Sequence, residues 1–243
     1  MGLFDFIKNF GKNTLFYPGC MLKFAMEKEL QNYKDIMNFF GIDFIMIKEE
    51  VCCGSPVLNA GYKKDFRNLA KKNFEIFKKR NISKIITPCP GCYNVFKNEI
   101  PKVLHNWDIE VEHFTQILLK ELKKRKQKKE VKKEIVSYHD PCHLGRFSRI
   151  YDEPREIIKI LGGELKEMIH NRENALCCGA GGGVKANYPE IAREIAKKRM
   201  EEAPKEAVKI LTPCGLCATN LKTADSKVVE FSEWALERIK LIY

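Results

Sequence analysis

The sequence predicts an α/β protein of two pseudo-symmetric repeats. Each repeat is expected to be a small parallel sheet flanked by helices, with cysteines at the carboxyl ends of its strands. Apolar segments with the period of a strand alternate with segments of helical period along the chain. Parallel strands need a crossover, usually a helix, so this alternation favours parallel sheets. The ten cysteines recur in the same order in both halves, which indicates an internal repeat.

The first repeat is predicted over residues 14–121, after an apolar N-terminal segment, residues 1–13. Its first helix is predicted over residues 22–40, where apolar side chains recur at helical spacing, and Gly41 stands where a C-cap belongs. The following segments predict, in order, a strand in IDFIMI, a helix in FRNLAKKNFEIF, strands in SKIIT and IEVEHF, and a helix in TQILLKELKK.

The second repeat is predicted over residues 134–243 and follows the same order. It contains a strand in EIVSY, a helix in PREIIKIL, a strand in GELKEMI, a helix in PEIAREIAKKRM, strands in VKILT and KVVEF, and a helix in EWALERI. Cys142 follows Cys20 by 122 positions, and the other four cysteines of the first half recur after 125. The two repeats therefore align with few differences in length.

A basic linker, residues 122–133, is predicted to join the repeats. Residues 120–133 hold nine lysines or arginines against two glutamates, so they carry most of the net charge of +11. Such a charge run is typical of a solvated helix end or linker, and we expect no nucleic-acid partner. The sequence shows no secretory signal and no apolar run long enough to span a membrane, which predicts a cytoplasmic protein. Cysteines there are more often metal ligands or redox groups than disulfides.

Each half carries one set of five cysteines: a single cysteine, an adjacent pair followed by glycine, and a C-x-x-C motif. The first set is Cys20, Cys52, Cys53, Cys89 and Cys92, and the second set is Cys142, Cys177, Cys178, Cys214 and Cys217. Both C-x-x-C motifs follow an apolar strand and open a helix, which predicts thiols at the carboxyl edge of each sheet. Helix N-termini there favour thiolates.

More than four soft thiolates in one site favour iron with sulfide. A tetrahedral zinc site with one spare thiol stays an alternative for either half. The CPGC motif alone also fits a thioredoxin-like dithiol, but the three further thiols of its set argue against that interpretation. The glycine-rich GAGGGVKA lacks the spacing of a phosphate-binding loop, so it is weak evidence for a nucleotide.

Three segments, YHDPCHLGR, RENALCCGAGGG and TPCPGC, together with the doubled five-cysteine pattern, resemble the cysteine-rich CCG-domain family. That family includes the B and D subunits of CoB–CoM heterodisulfide reductase, an enzyme of methanogenesis. It also includes the iron–sulfur subunits of glycolate oxidase and lactate-utilisation systems, and thiol:fumarate reductases. The resemblance covers the chain from about residue 14 onwards. It implies that all ten cysteines are ligands of two iron–sulfur clusters, each a noncubane [4Fe–4S] cluster, with zinc in one half as the alternative.

The resemblance also suggests roles for two histidines that flank Cys142. His139 and His143 are our candidate catalytic residues, because each could donate an N–H hydrogen bond to cluster sulfur or protonate a leaving thiolate. A buried structural role at the end of a strand is the competing interpretation. Arg146 and Arg149 could attract an anionic substrate or could be solvated surface residues.

We therefore expect an iron–sulfur oxidoreductase subunit that reduces a small anionic disulfide of the CoB–CoM type. Because the chain has no C-x-x-C-x-x-C run, a ferredoxin-like or flavoprotein partner is expected to supply electrons. One alternative is an electron-transfer subunit of a flavin-dependent glycolate or lactate dehydrogenase, and another is a zinc-stabilised binding protein. Apolar residues of the N-terminal segment, Leu3, Phe4, Phe6, Ile7 and Phe10, could dock a partner or pack on the chain itself. Any membrane association is expected only through a partner.

Overall fold

The computed structural model describes residues 11–243, so the apolar stripe predicted between residues 3 and 10 lies outside it. Two parallel sheets, one from each repeat, form the framework. In the first sheet, β1 (Asn13–Phe16), β2 (Ile82–Thr87) and β3 (Glu110–His113) lie in the order β1-β2-β3. All of their pairings are parallel, which confirms the predicted α/β class.

The helices of the first repeat connect these parallel strands. They are α1 (Gly19–Ala25), α2 (Glu27–Phe40), α3 (Ser55–Asn59), α4 (Lys63–Lys79), α5 (Pro90–Asn94), α6 (Ile100–Val103) and α7 (Phe114–Lys124), with a π-helical turn at Val95–Glu99 between α5 and α6. The amphipathic α4 buries Phe66, Phe74 and Phe77, as its helical spacing predicts.

The second sheet has four parallel strands. These are β4 (Glu134–Tyr138), β5 (Gly163–Leu165), β6 (Lys209–Thr212) and β7 (Val228–Glu230), in the order β5-β4-β6-β7. Its helices are α8 (Asp152–Ile160), α9 (Val184–Asn187), α10 (Pro189–Met200), α11 (Gly215–Leu221) and α12 (Phe231–Ile242), with a 3₁₀ turn at Arg172–Asn174.

Two predicted elements differ from the structure. The single helix predicted over residues 22–40 is divided into α1 and α2 at Met26, whose φ of −141° and ψ of 58° are not helical. The strand predicted in IDFIMI forms only one bridge, where Ile45 pairs in parallel with Leu15 of β1. That bridge occupies the place that the short β5 has beside β4. The segment that flanks β1 or β4 on its outer side is thus short in both sheets.

One hydrophobic core joins the two repeats. It contains residues from β1 and α2 of the first repeat and from β4, α8 and α12 of the second. Trp234 of α12 is fully buried in it, and its indole Nε1 donates to Glu134 at 2.6 Å. Because both repeats contribute to this core, they are packed together rather than merely connected by a linker.

The basic linker lies at the edge of the sheets opposite the cysteines. Helix α7 ends at Lys124 and β4 begins at Glu134, so the linker enters the second sheet at its amino edge. The backbone N–H groups of Lys128 and Lys129 both donate to the carbonyl of Ile242, at 3.2 Å. Among the described residues, no helix combines the length and apolar character of a membrane-spanning segment.

Candidate metal centres

The first set of five thiols lies at the carboxyl edge of the first sheet. Cys20 follows β1 and lies in α1, and Cys89 follows β2 as the N-cap residue of α5. Because β1 and β2 are parallel neighbours, their carboxyl ends bring these two cysteines to the same place. Cys92 lies one turn into α5, and Cys52 and Cys53 lie in the loop before α3.

Gly19 allows Cys20 to approach the C-x-x-C motif closely. It has a φ of +77°, and a Cβ atom at this position would lie 3.1 Å from the Sγ of Cys92 and 3.2 Å from the Cβ of Cys89. A side chain would therefore occupy space beside the sulfur atoms and strain the backbone. The glycine therefore lets the backbone beside Cys20 pack directly against the two thiols.

The five thiols of the first set influence one another in succession. Each shifts the pKa of the next, in the order Cys20, Cys52, Cys53, Cys92 and Cys89. Hydrogen bonds from Cys20 and Cys53 lower the pKa of Cys52 to about 2, and a hydrogen bond from Cys92 lowers the pKa of Cys89 to about 7. Cys52 and Cys89 are thus favoured as thiolates, the form that binds metal, whereas the pKa values of Cys20, Cys53 and Cys92 are raised.

The second set repeats this geometry at the second sheet. Cys214 is the N-cap residue of α11, Cys217 lies inside that helix, and Cys142 follows β4. Cys177 and Cys178 shift each other's pKa, and Cys178 and Cys214 both raise that of Cys217. Hydrogen bonds from Cys177 and Cys217 hold the pKa of Cys178 well below its usual range.

Backbone donors hold the adjacent cysteine pairs in equivalent ways. The N–H of Gly54 donates to the Sγ of Cys52 at 3.4 Å, and the N–H of Gly179 donates to the Sγ of Cys177 at 3.3 Å. Gly179 has a φ of +84°, and a Cβ there would lie 2.7 Å from the carbonyl oxygen of Ala192. The glycine of each CCG motif therefore provides both the turn and an N–H···S contact.

None of the ten cysteines, all of which are described, forms a disulfide. The second cysteine of each pair and the second of each C-x-x-C motif are buried, namely Cys53, Cys92, Cys178 and Cys217, whereas Cys20 and Cys177 are exposed. Each set thus has a buried side within the protein and an open side toward solvent.

A cation near each first cysteine holds the loop before the cysteine pair. Lys23 of α1 donates to Glu50 at 3.0 Å, and the Glu50 side chain is buried. In the second repeat, Arg146 donates to the carbonyl of Ala175 at 2.6 Å. Glu50 and Ala175 each lie two residues before a cysteine pair. Arg146 is therefore bound to the protein backbone, whereas the sequence left open an anionic substrate as its partner.

The two candidate histidines lie beside thiols of the second set. His143 has its Nδ1 3.4 Å from the Sγ of Cys142. A ring nitrogen of His139 and the Sγ atoms of Cys178 and Cys217 all lie within 4.8 Å of one another. Burial lowers the pKa of both imidazoles, so they are neutral near pH 7. Their catalytic role remains a prediction.

The segments that carry the two sets contact each other across the boundary between the repeats. A Cβ at Gly215, next to Cys214, would lie 2.7 Å from the Sδ of Met26 and 3.6 Å from the Cβ of Met21, the neighbour of Cys20. In the reciprocal contact, Asn98, shortly after Cys92, donates to the carbonyl of Phe147 at 3.3 Å. Each first cysteine therefore stands on a segment that packs against the other repeat.

Sequence reasoning missed several buried partners of these centres. Tyr33 of α2 hydrogen-bonds to Glu230 at the end of β7, and Arg199 of α10 hydrogen-bonds to His139. Asp140 accepts two 2.8 Å hydrogen bonds from Arg155. These partners are distant in the sequence, and no local pattern signals them. Aligning the repeats would have revealed one useful position, because Tyr17 stands where the second repeat has His139.

Comparison with known proteins agrees with this geometry. The CCG cysteine-rich domain matches twice, over residues 14–97 and 136–222. The chain is 35% identical over 217 residues to the D subunit of dihydromethanophenazine:CoB–CoM heterodisulfide reductase from Methanosarcina acetivorans, covering 86% of this chain and 53% of that protein. It is 33% identical over 210 residues to an uncharacterized iron–sulfur protein of Methanocaldococcus jannaschii, covering 85% of this chain and 40% of that protein.

A third relative has a different function in its name. The chain is 35% identical over 173 residues to EtfAB:quinone oxidoreductase of Syntrophomonas wolfei subsp. wolfei, covering 70% of this chain and 24% of that protein. The chain thus spans about half, or less, of the length of these relatives. The family match covers more than half of the chain and includes both sets of cysteines. The chain belongs to the CCG cysteine-rich domain family, and it carries this domain twice.

Proposed function

We propose that this chain is an iron–sulfur oxidoreductase subunit of the heterodisulfide reductase type, which reduces a disulfide with electrons from a partner protein. The observation that carries the proposal is the contact between the segments that bear the two thiol sets, with Met21 beside Cys20 packed against Gly215 beside Cys214. A disulfide has two sulfur atoms, and two adjacent centres could receive one each. The relative named as the D subunit of such a reductase supports this substrate class.

The residues present fit two iron–sulfur clusters. Five thiols in each repeat exceed the four ligands of a tetrahedral zinc site, and soft thiolates suit iron and sulfide. Gly19 allows the backbone next to Cys20 to approach Cys89 and Cys92, where a Cβ would crowd the thiols. The ten cysteines would hold the clusters. When bound, such clusters would supply single electrons and iron atoms with an affinity for sulfur.

The chain itself would orient the disulfide and exclude water around it. Phe24 and Phe147 follow the first cysteine of each set by four and five positions, and their side chains are 78% and 59% exposed. Such aromatic groups beside the open side of each centre could cover an apolar part of the substrate. Conversion of one disulfide to two thiols consumes two electrons and two protons. A donor protein would supply the electrons, and solvent would supply the protons.

A second candidate function is electron transfer without disulfide chemistry. The relative named EtfAB:quinone oxidoreductase favours it, because that name refers to a flavoprotein and a quinone rather than a thiol. In this case the two centres would act as successive relay stations for a dehydrogenase complex. The same kinds of electron donor would suit both functions. The two functions are therefore distinguished by the molecule that the loaded protein reduces.

The decisive experiment combines metal analysis with turnover. Protein purified without oxygen is expected to hold about eight irons with matching sulfide per chain, if each repeat binds a four-iron cluster. With reduced viologen as donor, it is expected to reduce CoM-S-S-CoB. Stoichiometric zinc without iron would overturn both functions. Fully loaded protein that reduces no disulfide, but accepts electrons from a flavoprotein, would favour the second.

A further inference from the structure

Tyr17 and His139 occupy equivalent positions at the carboxyl edges of the two sheets. Each stands three residues before the first cysteine of its set. The backbone N–H of Tyr17 donates to Ile86 of β2, and that of His139 donates to Leu211 of β6, both at 2.9 Å. Ile86 and Leu211 are themselves equivalent in the two repeats. The same site in the fold therefore holds a phenol in one repeat and an imidazole in the other.

The phenol of Tyr17 has no proton to offer to sulfur. Its hydroxyl donates to the carbonyl oxygen of Val51 at 2.7 Å, and a hydroxyl carries a single proton. Its ring is buried and packs edge-on against Phe96, with the ring centroids 4.8 Å apart. The side chain thus fills space near the first thiol set without a free hydrogen-bond donor.

The imidazole of His139 is held in one tautomer by a buried arginine. The Nε–H of Arg199 donates to the Nδ1 of His139 at 3.1 Å. A guanidinium group has only donors, so Nδ1 must present its lone pair, and the ring proton stands on Nε2. Arg199 is itself fixed: its side chain is fully buried, donates to the carbonyl of His170 at 2.7 Å and forms an ion pair with Glu202.

The protonated nitrogen is buried beside sulfur and has no partner of its own. Among the described residues, Nε2 of His139 makes no hydrogen bond. The ring lies within 4.8 Å of the Sγ atoms of Cys178 and Cys217. His139 also helps to lower the pKa of Cys178, after the larger effects of Cys177 and Cys217. The geometry is that of a buried, unpartnered N–H donor close to two sulfur atoms.

We infer that His139 is a redox-tuning residue, which donates a fixed N–H···S hydrogen bond to Cys178, and that Tyr17 does not tune the first centre in this way. The inference rests on the proposed binding of a cluster in each repeat. Hydrogen bonds to ligand sulfur stabilise the more negative, reduced state of a cluster and raise its potential. The same tautomer argues against two other roles. Nε2 has no lone pair for a metal, and its loss of a proton would leave an imidazolate.

The test compares two substitutions at position 139 in the loaded protein. In His139→Gln the amide keeps an N–H group that can reach sulfur, whereas His139→Leu has no donor. Midpoint potentials are measured by redox titration with electron paramagnetic resonance. We expect His139→Leu to shift the redox equilibrium of one centre roughly tenfold toward the oxidised form, which is about 59 mV for one electron. His139→Gln is expected to keep most of the original potential.

Tyr17→Phe is the matched control, because it removes a hydroxyl that points at Val51 and should leave both potentials unchanged. Equal potentials in His139→Leu and wild type, equal shifts in the Leu and Gln variants, or an equal shift in Tyr17→Phe would overturn the inference. Iron and sulfide analysis of the same samples separates the tuning role from cluster binding. If the variants bind all of their iron and their midpoint potentials equal that of wild type, only the tuning role is contradicted. Protein without iron contradicts the proposed function as well.

A measurement on the unaltered chain tests the inference even if the variants fail to fold. Loaded wild-type protein with ¹⁵N-labelled histidine is examined by pulsed electron paramagnetic resonance after reduction. We expect coupling to a histidine nitrogen, which the isotope label distinguishes from the backbone N–H donors of Gly54 and Gly179. The coupling should persist in His143→Ala, which excludes the histidine beside Cys142 as its source. Absence of any histidine coupling in the wild type would overturn the inference.

Discussion

The hydroxyl of Tyr33 donates a 2.5 Å hydrogen bond to the Oε1 of Glu230, and both side chains are buried. Tyr33 belongs to α2 of the first repeat, and Glu230 ends β7 of the second. The other carboxylate oxygen of Glu230 accepts from the N–H of Ser232 at 2.8 Å and from its hydroxyl. This contact ties the repeats together near both centres, because Cys214 and Cys89 both add to the raised pKa of Tyr33, after burial and Glu230.

The first prediction concerns the pH dependence of stability at this contact. Burial raises the pKa of Glu230 from 4.5 to about 7, against the opposing hydrogen bonds of Ser232 and Tyr33, and the charge of Glu29 raises it further. Because its pKa is higher in the folded protein than in the unfolded chain, Glu230 holds its proton more tightly when the protein is folded. The folded protein is therefore less stable once this proton is lost, as the pH rises from 4.5 through about 7. The full cost at higher pH is on the order of 3 kcal/mol.

Glu230→Gln removes this titration and keeps groups that can bond to Tyr33 and Ser232. Relative to wild type, its free energy of unfolding should therefore rise between about pH 5.5 and about pH 8, and the difference is measured by anaerobic denaturation in urea. A difference that is independent of pH would show that Glu230 does not titrate in this range. Tyr33→Phe serves as the control for loss of the hydrogen bond alone.

The second prediction tests cooperation between the centres. Cys53→Ser and Cys178→Ser should each abolish reduction of a disulfide by reduced viologen while the other repeat keeps its cluster. Their effects should not add, because groups that act as a unit cannot be removed twice. Turnover and iron content are measured for both variants. A variant with about half the iron that still reduces the disulfide would refute a reaction shared between two centres.

The third prediction concerns Gly19, which lies directly against thiols of the first set. Gly19→Ala introduces a Cβ 3.1 Å from the Sγ of Cys92, at a φ of +77°. We expect the variant to lose the first centre and to retain about half of the iron. Gly41→Ala is a matched control, since Gly41 has a φ of +68° with no atom within 4 Å of an added Cβ. The control should keep all of its iron at a cost of about 1 kcal/mol in stability.

The fourth prediction concerns the buried ion pair beside the second centre. Asp140 and Arg155 have side chains that are 2% and 8% exposed, and Arg155 also pairs with the more exposed Glu167. Asp140→Ala removes the buried partner and leaves Arg155 only Glu167, so it is expected to lower the free energy of unfolding by roughly 2–4 kcal/mol. Asp152→Ala breaks a surface pair with Arg172, in which the aspartate is 68% exposed, and should cost less than about 1 kcal/mol. Similar losses in both variants, measured in urea, would contradict the importance of burial.

Much of the fold and of the candidate site followed from local patterns. The order of strands and helices was predicted because the apolar period reports which face of each segment is buried. The C-x-x-C motifs were placed correctly at helix starts after β2 and β6, since parallel strands end at the same edge of a sheet. The break at Met26 was not predicted, because it accompanies packing of Met26 against Gly215 of the other repeat.

The sequence by itself determined the two repeats, the α/β class, the family and the two sets of thiols, because each depends on spacing along one stretch of chain. Only the tertiary structure decided which side chains surround those thiols. The tautomer of His139 depends on its hydrogen bond from Arg199. The carboxyl of Glu230 is hydrogen-bonded to Tyr33, and neither pair is close in sequence. Burial and hydrogen bonding between distant segments determine such properties, so they exist only once both repeats have packed around their common core.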